Sequence, residues 1–353
     1  GRAGACGRAG PGADGPGGGA EPGLPDLADV AGQPVARRAL EVAAAGGHHL
    51  FLTGPPGAGK TMLAERLPGI LPPLTRQESL EVTAVHSVAG TLPPGGALAG
   101  APPYCAPHHS ATLQSLIGGG QGVPRPGAVS LAHRGVLFLD EAPEFGTRVL
   151  DALRQPLESG HVVVARAAGV VRLPARFLMV LAANPCPCGR YSAVGGAAGC
   201  ECPPSAIRRY QARLSGPLMD RVDLRVAVEA VGRCDLLGRG GRGESSAVVA
   251  GRVAEARARA AARLAETPWS VNSEIPGHEM RTRWHPAPGA LSQAERDLER
   301  GLLTARGLDR VLRVAWTVAD LGGKDRPDAL DVAVALELRT GIARGVPLGP
   351  VGV

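Results

Sequence analysis

Short, almost wholly apolar runs alternate with longer mixed segments over the first two thirds of the chain. "HHLFLTG" (48–54), "GVLFLDE" (135–141), "HVVVARA" (161–167), "FLMVLAANP" (177–185) and "LRVAVEAV" (224–231) have the length and texture of buried strands. Between them "DLADVAGQPVARRALEVAAAGG" (26–47) reads as a helix closed by Gly46 and Gly47, and "TMLAERLPGIL" as a helix running to Pro72. "RVLDALRQPLESG" (148–160) reads as a helix between two of the strands. After the Gly/Arg stretch "GRGGRGESS" (238–246) the pattern is helical throughout, from "AVVAGRVAEARARAAARLAE" to "LSQAERDLERGLLTARGLDRVLRVAWTVADL". In the latter, Ser292 and Glu295 have capping-box spacing, and "TARGLDR" should split it into two helices. Strands alternating with helices predict an α/β core, a parallel sheet flanked by helices, over 25–235. An all-helical domain over 236–345 and a tail at 346–353 follow.

Residues 1–24 contain ten glycines and three prolines and no apolar periodicity. Such a segment cannot bury enough surface to offset its backbone entropy and is expected to be disordered. It does not begin with Met, which suggests a linker from something upstream. The remainder, 44% hydrophobic but only 3% aromatic, must build its core from Ala, Val and Leu. Arg far outnumbers Lys, as GC-rich codons would give, so arginine enrichment carries little functional weight. The net charge of +6 permits contact with nucleic acid without requiring it. No apolar run is long enough for a membrane helix and no signal-peptide core is visible, so a cytoplasmic protein is expected.

The chemistry begins at "GPPGAGKT": Gly54, Pro55, Pro56, Gly57, Ala58, Gly59, Lys60 and Thr61 fit G-x-x-x-x-G-K-[ST] between a strand and a helix. Glycines let backbone N–H groups turn inward around phosphates, and the helix N-terminus behind adds a favourable dipole. Lys60 would reach the β and γ phosphates, and Thr61 would hold Mg²⁺. Asp140 and Glu141 end the strand "VLFLDE", where Asp140 would anchor Mg²⁺ and Glu141 would polarise an attacking water. The plainer reading is two acids capping the next helix. Asn184 ends a third strand, placed to orient that water or merely to turn the chain before Pro185. ATP with Mg²⁺ is the expected ligand.

With these segments in place the chain resembles the AAA+ ATPases of the magnesium-chelatase-like group, most closely the bacterial YifB/ComM family. The segments that carry the resemblance include "HHSATLQSLIGGG", "SLAHRGVLFLDEAPEF", "AANPCPCG", "RLSGPLMDRVDLRVAV" and "ARGLDRVLRVAWTVADL". The resemblance implies an AAA+ core with a helical lid, assembled as a ring, a hexamer. It assigns Lys60 and Thr61 to Walker A, Asp140 and Glu141 to Walker B, and Asn184 to sensor 1. Arg221 would be the arginine finger toward a neighbouring subunit and Arg313 the sensor 2 arginine, where a surface ion pair is the bland alternative for each. An amino-terminal domain resembling the Lon protease fold is expected in the family and is not seen here, as in a shortened or truncated member. Ala128 stands where an acid is expected after Gly127. The ComM branch points to DNA as substrate, with branch migration in transformation or recombination. The competing readings are the motor of a metal chelatase remodelling a protein partner, and an ATP-binding remnant without turnover.

Cys186, Cys188, Cys200 and Cys202 form C-x-C, eleven residues, C-x-C. Structural zinc, free thiols and a redox or disulfide pair all remain open from spacing alone. Cys6, Cys105 and Cys234 have no visible partners and read as ordinary thiols. His108 and His109, if on a strand, point apart and would not share a metal; they are expected to shape a pore or partner surface. His133 and Arg134 precede the acidic strand, with no role assigned.

Overall fold

The computed structural model describes the backbone at 6–7 and residues 24–92, 97–120, 124–166, 169–191, 199–232 and 243–341. The expected disordered segment 1–24, apart from 6–7 and Leu24, and the tail 346–353 lie outside these residues. The fold is of the α/β class, with parallel strands flanked by helices and a helical carboxy-terminal region. The chain divides into two compact units. One comprises 53–221 with the amino-terminal segment, and the other 26–52 with 222–353.

In the first unit the strands Tyr104–Cys105, Val136–Leu139 and Leu178–Ala183 lie side by side and parallel, with Leu137 opposite both Cys105 and Met179. Every residue of Val136–Leu139 and Leu178–Ala183 is buried. That accounts for their unbroken apolar texture, since a strand covered on both faces has no polar alternation. Cys6–Gly7 pairs antiparallel on the outer side of Tyr104–Cys105. Cys105 is disulfide-bonded, which corrects its reading as an ordinary thiol. The helix Arg76–Ala89 begins with a capping box between Thr75 and Glu78.

Three expectations are corrected in this unit. "HVVVARA" joins no parallel sheet: His161–Arg166 pairs antiparallel with Gly169–Pro174 as a separate hairpin. The helix expected over 148–160 is two short ones, Thr147–Asp151 and Arg154–Ser159, because Pro156 has no N–H to give to the preceding turn. "TMLAERLPGIL" is α-helical only over Lys60–Arg66, and a 3₁₀ turn follows at Pro68–Ile70.

In the second unit the helix expected over 26–47 is shorter, Pro34–Gly46, because Pro34 starts it after a 3₁₀ turn at Leu27–Asp29; it ends at Gly47 in the left-handed conformation, as its sequence predicts. Gly46 has no room for a side chain, since a Cβ would run into the His48 ring and Thr317. The strands Leu50–Thr53 and Leu224–Ala227 are neighbours. The helices Ser246–Leu264, Gly277–Thr282, Ser292–Glu299, Ala305–Leu321 and Ala329–Thr340 make up the rest. The helical run is broken at 300–304, before most of "TARGLDR", which instead opens the second helix; Thr304 caps it by accepting from the Gly307 N–H. Ser292, however, is the first residue inside its helix and caps nothing; its hydroxyl donates to the Gly289 carbonyl instead. The core here gathers Leu264, Ile275, Met280, Trp284, Leu312 and Trp316, with Arg263 stacked 4.3 Å over the Trp316 ring.

Candidate nucleotide site and cysteine cluster

The phosphate loop leaves the strand Leu50–Thr53, and the Gly54 N–H donates to the Ala183 carbonyl at 3.2 Å. That bond sets the loop beside the end of the strand carrying Asn184. Gly57 and Gly59 have φ of 76° and 92°, a region that an L side chain enters only at a cost. A Cβ at either would meet nothing within 4 Å, so packing does not demand glycine there. Conformation demands it, and the concave face stays open to a ligand.

Lys60, the first residue of the helix, is 8% exposed, and its ammonium donates to three acceptors: Gly54 O at 2.7 Å, Pro55 O at 2.9 Å and Asn184 Oδ1 at 3.1 Å. Burial lowers its pKa, opposed by the charges of Asp140 and Glu141. The Thr61 hydroxyl donates to Asp140 Oδ2 at 2.7 Å, close enough for both oxygens to meet one Mg²⁺. Asp140 Oδ1 accepts from the Glu141 N–H at 2.9 Å. Glu141 itself has φ 49° and ψ 43°, a left-handed backbone uncommon for a residue with a side chain. Such strain at a strand end is typical of positions where side-chain direction matters. Thus Lys60, Thr61, Asp140, Glu141 and Asn184, drawn from three segments, converge on one place.

Sequence reasoning missed the group that faces Glu141. His109 Nδ1 lies 3.1 Å from Glu141 Oε2, with 38% and 52% of the two side chains exposed. His108 and His109 sit in a turn after Tyr104–Cys105, not on a strand. Their ring centroids lie 4.0 Å apart with the planes tilted by 35°, instead of pointing apart, which corrects the expectation of opposed side chains. The signal available was topological: the segment preceding them is the parallel neighbour of the acidic strand.

His133 and Arg134 brace that strand's entrance. His133 is buried, accepts the Arg176 N–H at Nδ1 (3.0 Å) and meets Glu81 through Nε2 (3.1 Å). Burial lowers its pKa, against the Glu81 hydrogen bond. Arg134 reaches Glu81 at 3.2 Å and Glu78 at 3.3 Å. Both residues therefore tie the strand to the helix Arg76–Ala89.

Arg221 lies elsewhere on the unit. It pairs with Glu158, donates to the Pro217 carbonyl, and lines a cavity of about 510 Å³ with Leu113, Asp151 and Arg154. Arg313 belongs to the other unit, on Ala305–Leu321. Its Nε is buried without a hydrogen-bond partner among the described residues, and burial pushes its pKa down to about 10. An unpartnered buried guanidinium nitrogen is costly, and an anion would satisfy it.

The four cysteines that follow Asn184 come together. Their sulfurs all lie within 4.8 Å of one another, with Cys186 to Cys188 at 3.3 Å, Cys186 to Cys200 at 3.7 Å and Cys188 to Cys200 at 3.6 Å. None is disulfide-bonded. A tetrahedral zinc thiolate with bonds near 2.3 Å sets its sulfurs about 3.8 Å apart, close to this spacing. A backbone N–H from Arg190, and then the hydrogen bond with Cys186, lower the Cys188 thiol to about 6.

A phosphate loop at the head of a helix, two acids on the central strand and an Asn on the next define an AAA+ P-loop protein. A sequence profile described as "Magnesium chelatase, subunit ChlI" matches residues 26–236, and its "C-terminal" companion matches 243–339. The chain belongs to this magnesium-chelatase family of AAA+ ATPases, in the group that contains YifB and ComM. It is 53% identical over 319 residues to an uncharacterised protein of Mycobacterium tuberculosis, covering 90% of this chain and 62% of the relative. Against the competence protein ComM of Haemophilus influenzae it is 42% identical over 314 residues (89% and 60%). Against the 38 kDa magnesium-chelatase subunit of Rhodobacter capsulatus it is 34% identical over only 73 residues, 21% of each chain. The chain thus spans about 60% of the length of the ComM-like relatives it matches. No helix among the described residues is long and apolar enough to cross a membrane.

Proposed function

We propose that this chain is the ATP-hydrolysing motor portion of a YifB/ComM-type protein, with 25–235 as ATPase core and 236–345 as helical lid. The observation that carries the reading is the contact of Lys60 with Asn184 and of its neighbour Thr61 with Asp140 at the end of the open loop. On binding ATP, Lys60 exchanges its two carbonyl partners for β and γ phosphate oxygens, a charge-assisted replacement. Thr61 and Asp140 hold Mg²⁺, which supplies charge neutralisation on the phosphates. Glu141 accepts a proton from the attacking water, and the Asn184 amide orients that water without titrating. Arg221 acts on the neighbouring subunit's nucleotide in a ring, a hexamer, and Arg313 senses the γ phosphate from the lid. The four thiolates of the cysteine cluster hold zinc.

DNA is the proposed substrate, with branch migration in transformation or recombination as the activity. The similarity to a protein named for competence supports it, as does the net charge of +6. A metal-chelatase motor is the second reading, and the shared family profile favours it. The extent of similarity to ComM-like chains, against 21% coverage of the chelatase subunit, weighs for DNA. The test is ATP turnover by the purified chain with and without branched DNA, beside Lys60→Ala. Turnover that rises with DNA and vanishes in the variant supports a DNA-driven motor. Turnover indifferent to DNA points to protein remodelling, and none at all refutes hydrolysis by this chain.

A further inference from the structure

We propose that the zinc ion held by Cys186, Cys188, Cys200 and Cys202 is a clip that positions Asn184 and braces the phosphate loop. The inference rests on the nucleotide-site reading for its consequence, but its geometry stands independently. Cys186 is only two residues beyond Asn184 and is fully buried. The Gly189 N–H closes a tight turn onto the Cys186 carbonyl at 3.0 Å, and the Tyr191 N–H points to the Cys186 sulfur at 3.4 Å. An N–H directed at sulfur favours the thiolate that a metal requires.

This turn lies directly on the phosphate loop. Gly189 has φ 76°, and a Cβ placed there would collide with the Pro56 ring. Glycine is therefore needed for close approach as well as for conformation. Cys202 is followed by Pro203, the cap of the helix Pro204–Gln211. From that helix Gln211 Nε2 donates to the Pro185 carbonyl at 3.1 Å, and Tyr210 shares a hydrogen bond with the Asn184 backbone. The chain leaves Asn184, passes the four sulfurs, and returns through the helix to hold Asn184 and Pro185. An ion joining Cys186 and Cys188 to Cys200 and Cys202 closes this circuit at its base.

Four soft sulfurs gathered within 4.8 Å, one of them exposed and none covalently joined, make a ready set of metal ligands. With an ion bound, binding energy is converted directly into local order. Four thiolates in tetrahedral array select zinc or iron, and a single closed structural site suits zinc. The clip therefore works at a distance from chemistry, since no sulfur need touch nucleotide. Its effect is to restrict where the Asn184 amide and the Pro56 side of the loop can move.

The test begins with elemental analysis of the chain purified without chelator, where one zinc per chain is expected. Hydrogen exchange is then compared between loaded protein, protein stripped by a chelator, and protein refilled with zinc. Amides of 184–189 and 54–59 should lose protection by about tenfold or more on stripping and regain it on refilling. Cys200→Ser with Cys202→Ser should reproduce the stripped pattern, with tryptophan fluorescence from the other unit unchanged. Absence of zinc, iron in its place, or unchanged exchange at 54–59 after stripping would overturn the clip. If the exchange result holds but loaded protein does not hydrolyse ATP, the clip stands and the motor reading fails.

Discussion

Removing one buried carboxylate should unfasten the second unit at a predictable cost. Asp223 is wholly buried, and Arg310 Nη1 at 2.8 Å, the His49 N–H at 3.2 Å and His48 Nδ1 at 3.5 Å converge on it. Burial alone would raise its pKa. The Arg310 charge, followed by the nearby His48, outweighs burial and holds the carboxyl far below the usual range. Asp223→Ala strands Arg310 and removes every acceptor at once, which should cost ~3–5 kcal/mol. Asp223→Asn keeps a partner for the His49 N–H and loses only the charge, so ~1.5–3 kcal/mol is expected. All three tryptophans, Trp269, Trp284 and Trp316, belong to this unit, so fluorescence during urea unfolding reports on it alone. The pH dependence has a defined sign. His49 is lowered by burial to about 4, so its contribution is complete above its unfolded value of roughly 6.5 and is lost as pH falls toward 4. Moving its pKa from roughly 6.5 to about 4 corresponds to about 3 kcal/mol. Asp223's own contribution is present above roughly pH 4 and fades below it, so the wild type should weaken in acid in two stages. A change under about 1 kcal/mol for Asp223→Ala in the tryptophan transition would refute the network.

Three further outcomes are expected at the nucleotide site. Glu141→Gln should lower ATP turnover by about 10²–10⁴-fold with ATP affinity nearly intact, measured by turnover beside equilibrium binding of a non-hydrolysable analogue. Arg221→Ala should reduce hydrolysis by about 10³-fold without loss of ATP binding, and mixing it with Lys60→Ala chains should restore some turnover if the finger acts across subunits. His109→Ala should free Glu141; because the pair is half-exposed and worth about 0.2–1 kcal/mol, turnover should rise by no more than about fivefold. A large fall in that variant would show that His109 takes part in the chemistry.

The backbone of the candidate site was legible where it depended on local form. Gly57 and Gly59 announce positive φ, Lys60 opens a helix, and Asp140 and Asn184 end runs so apolar that only a covered strand accommodates them. These features are set by neighbours a few residues away, which a single sequence displays. Where alternatives were equal over short range, tertiary structure decided. "HVVVARA" has the texture of a parallel strand, but its hairpin partner Gly169–Pro174 was adjacent and captured it. His109 meets Glu141 because parallel pairing of two strands brings 32 positions of separation down to 3.1 Å, a distance no local pattern encodes. The cysteine spacing allowed three chemistries, and only the fold brings four unbridged sulfurs together around a turn seated on Pro56, an arrangement compatible with a metal. Local sterics and hydrophobic periodicity thus determined the elements and the loop. Which side chains face one another across strands and turns was determined only by how those elements pack.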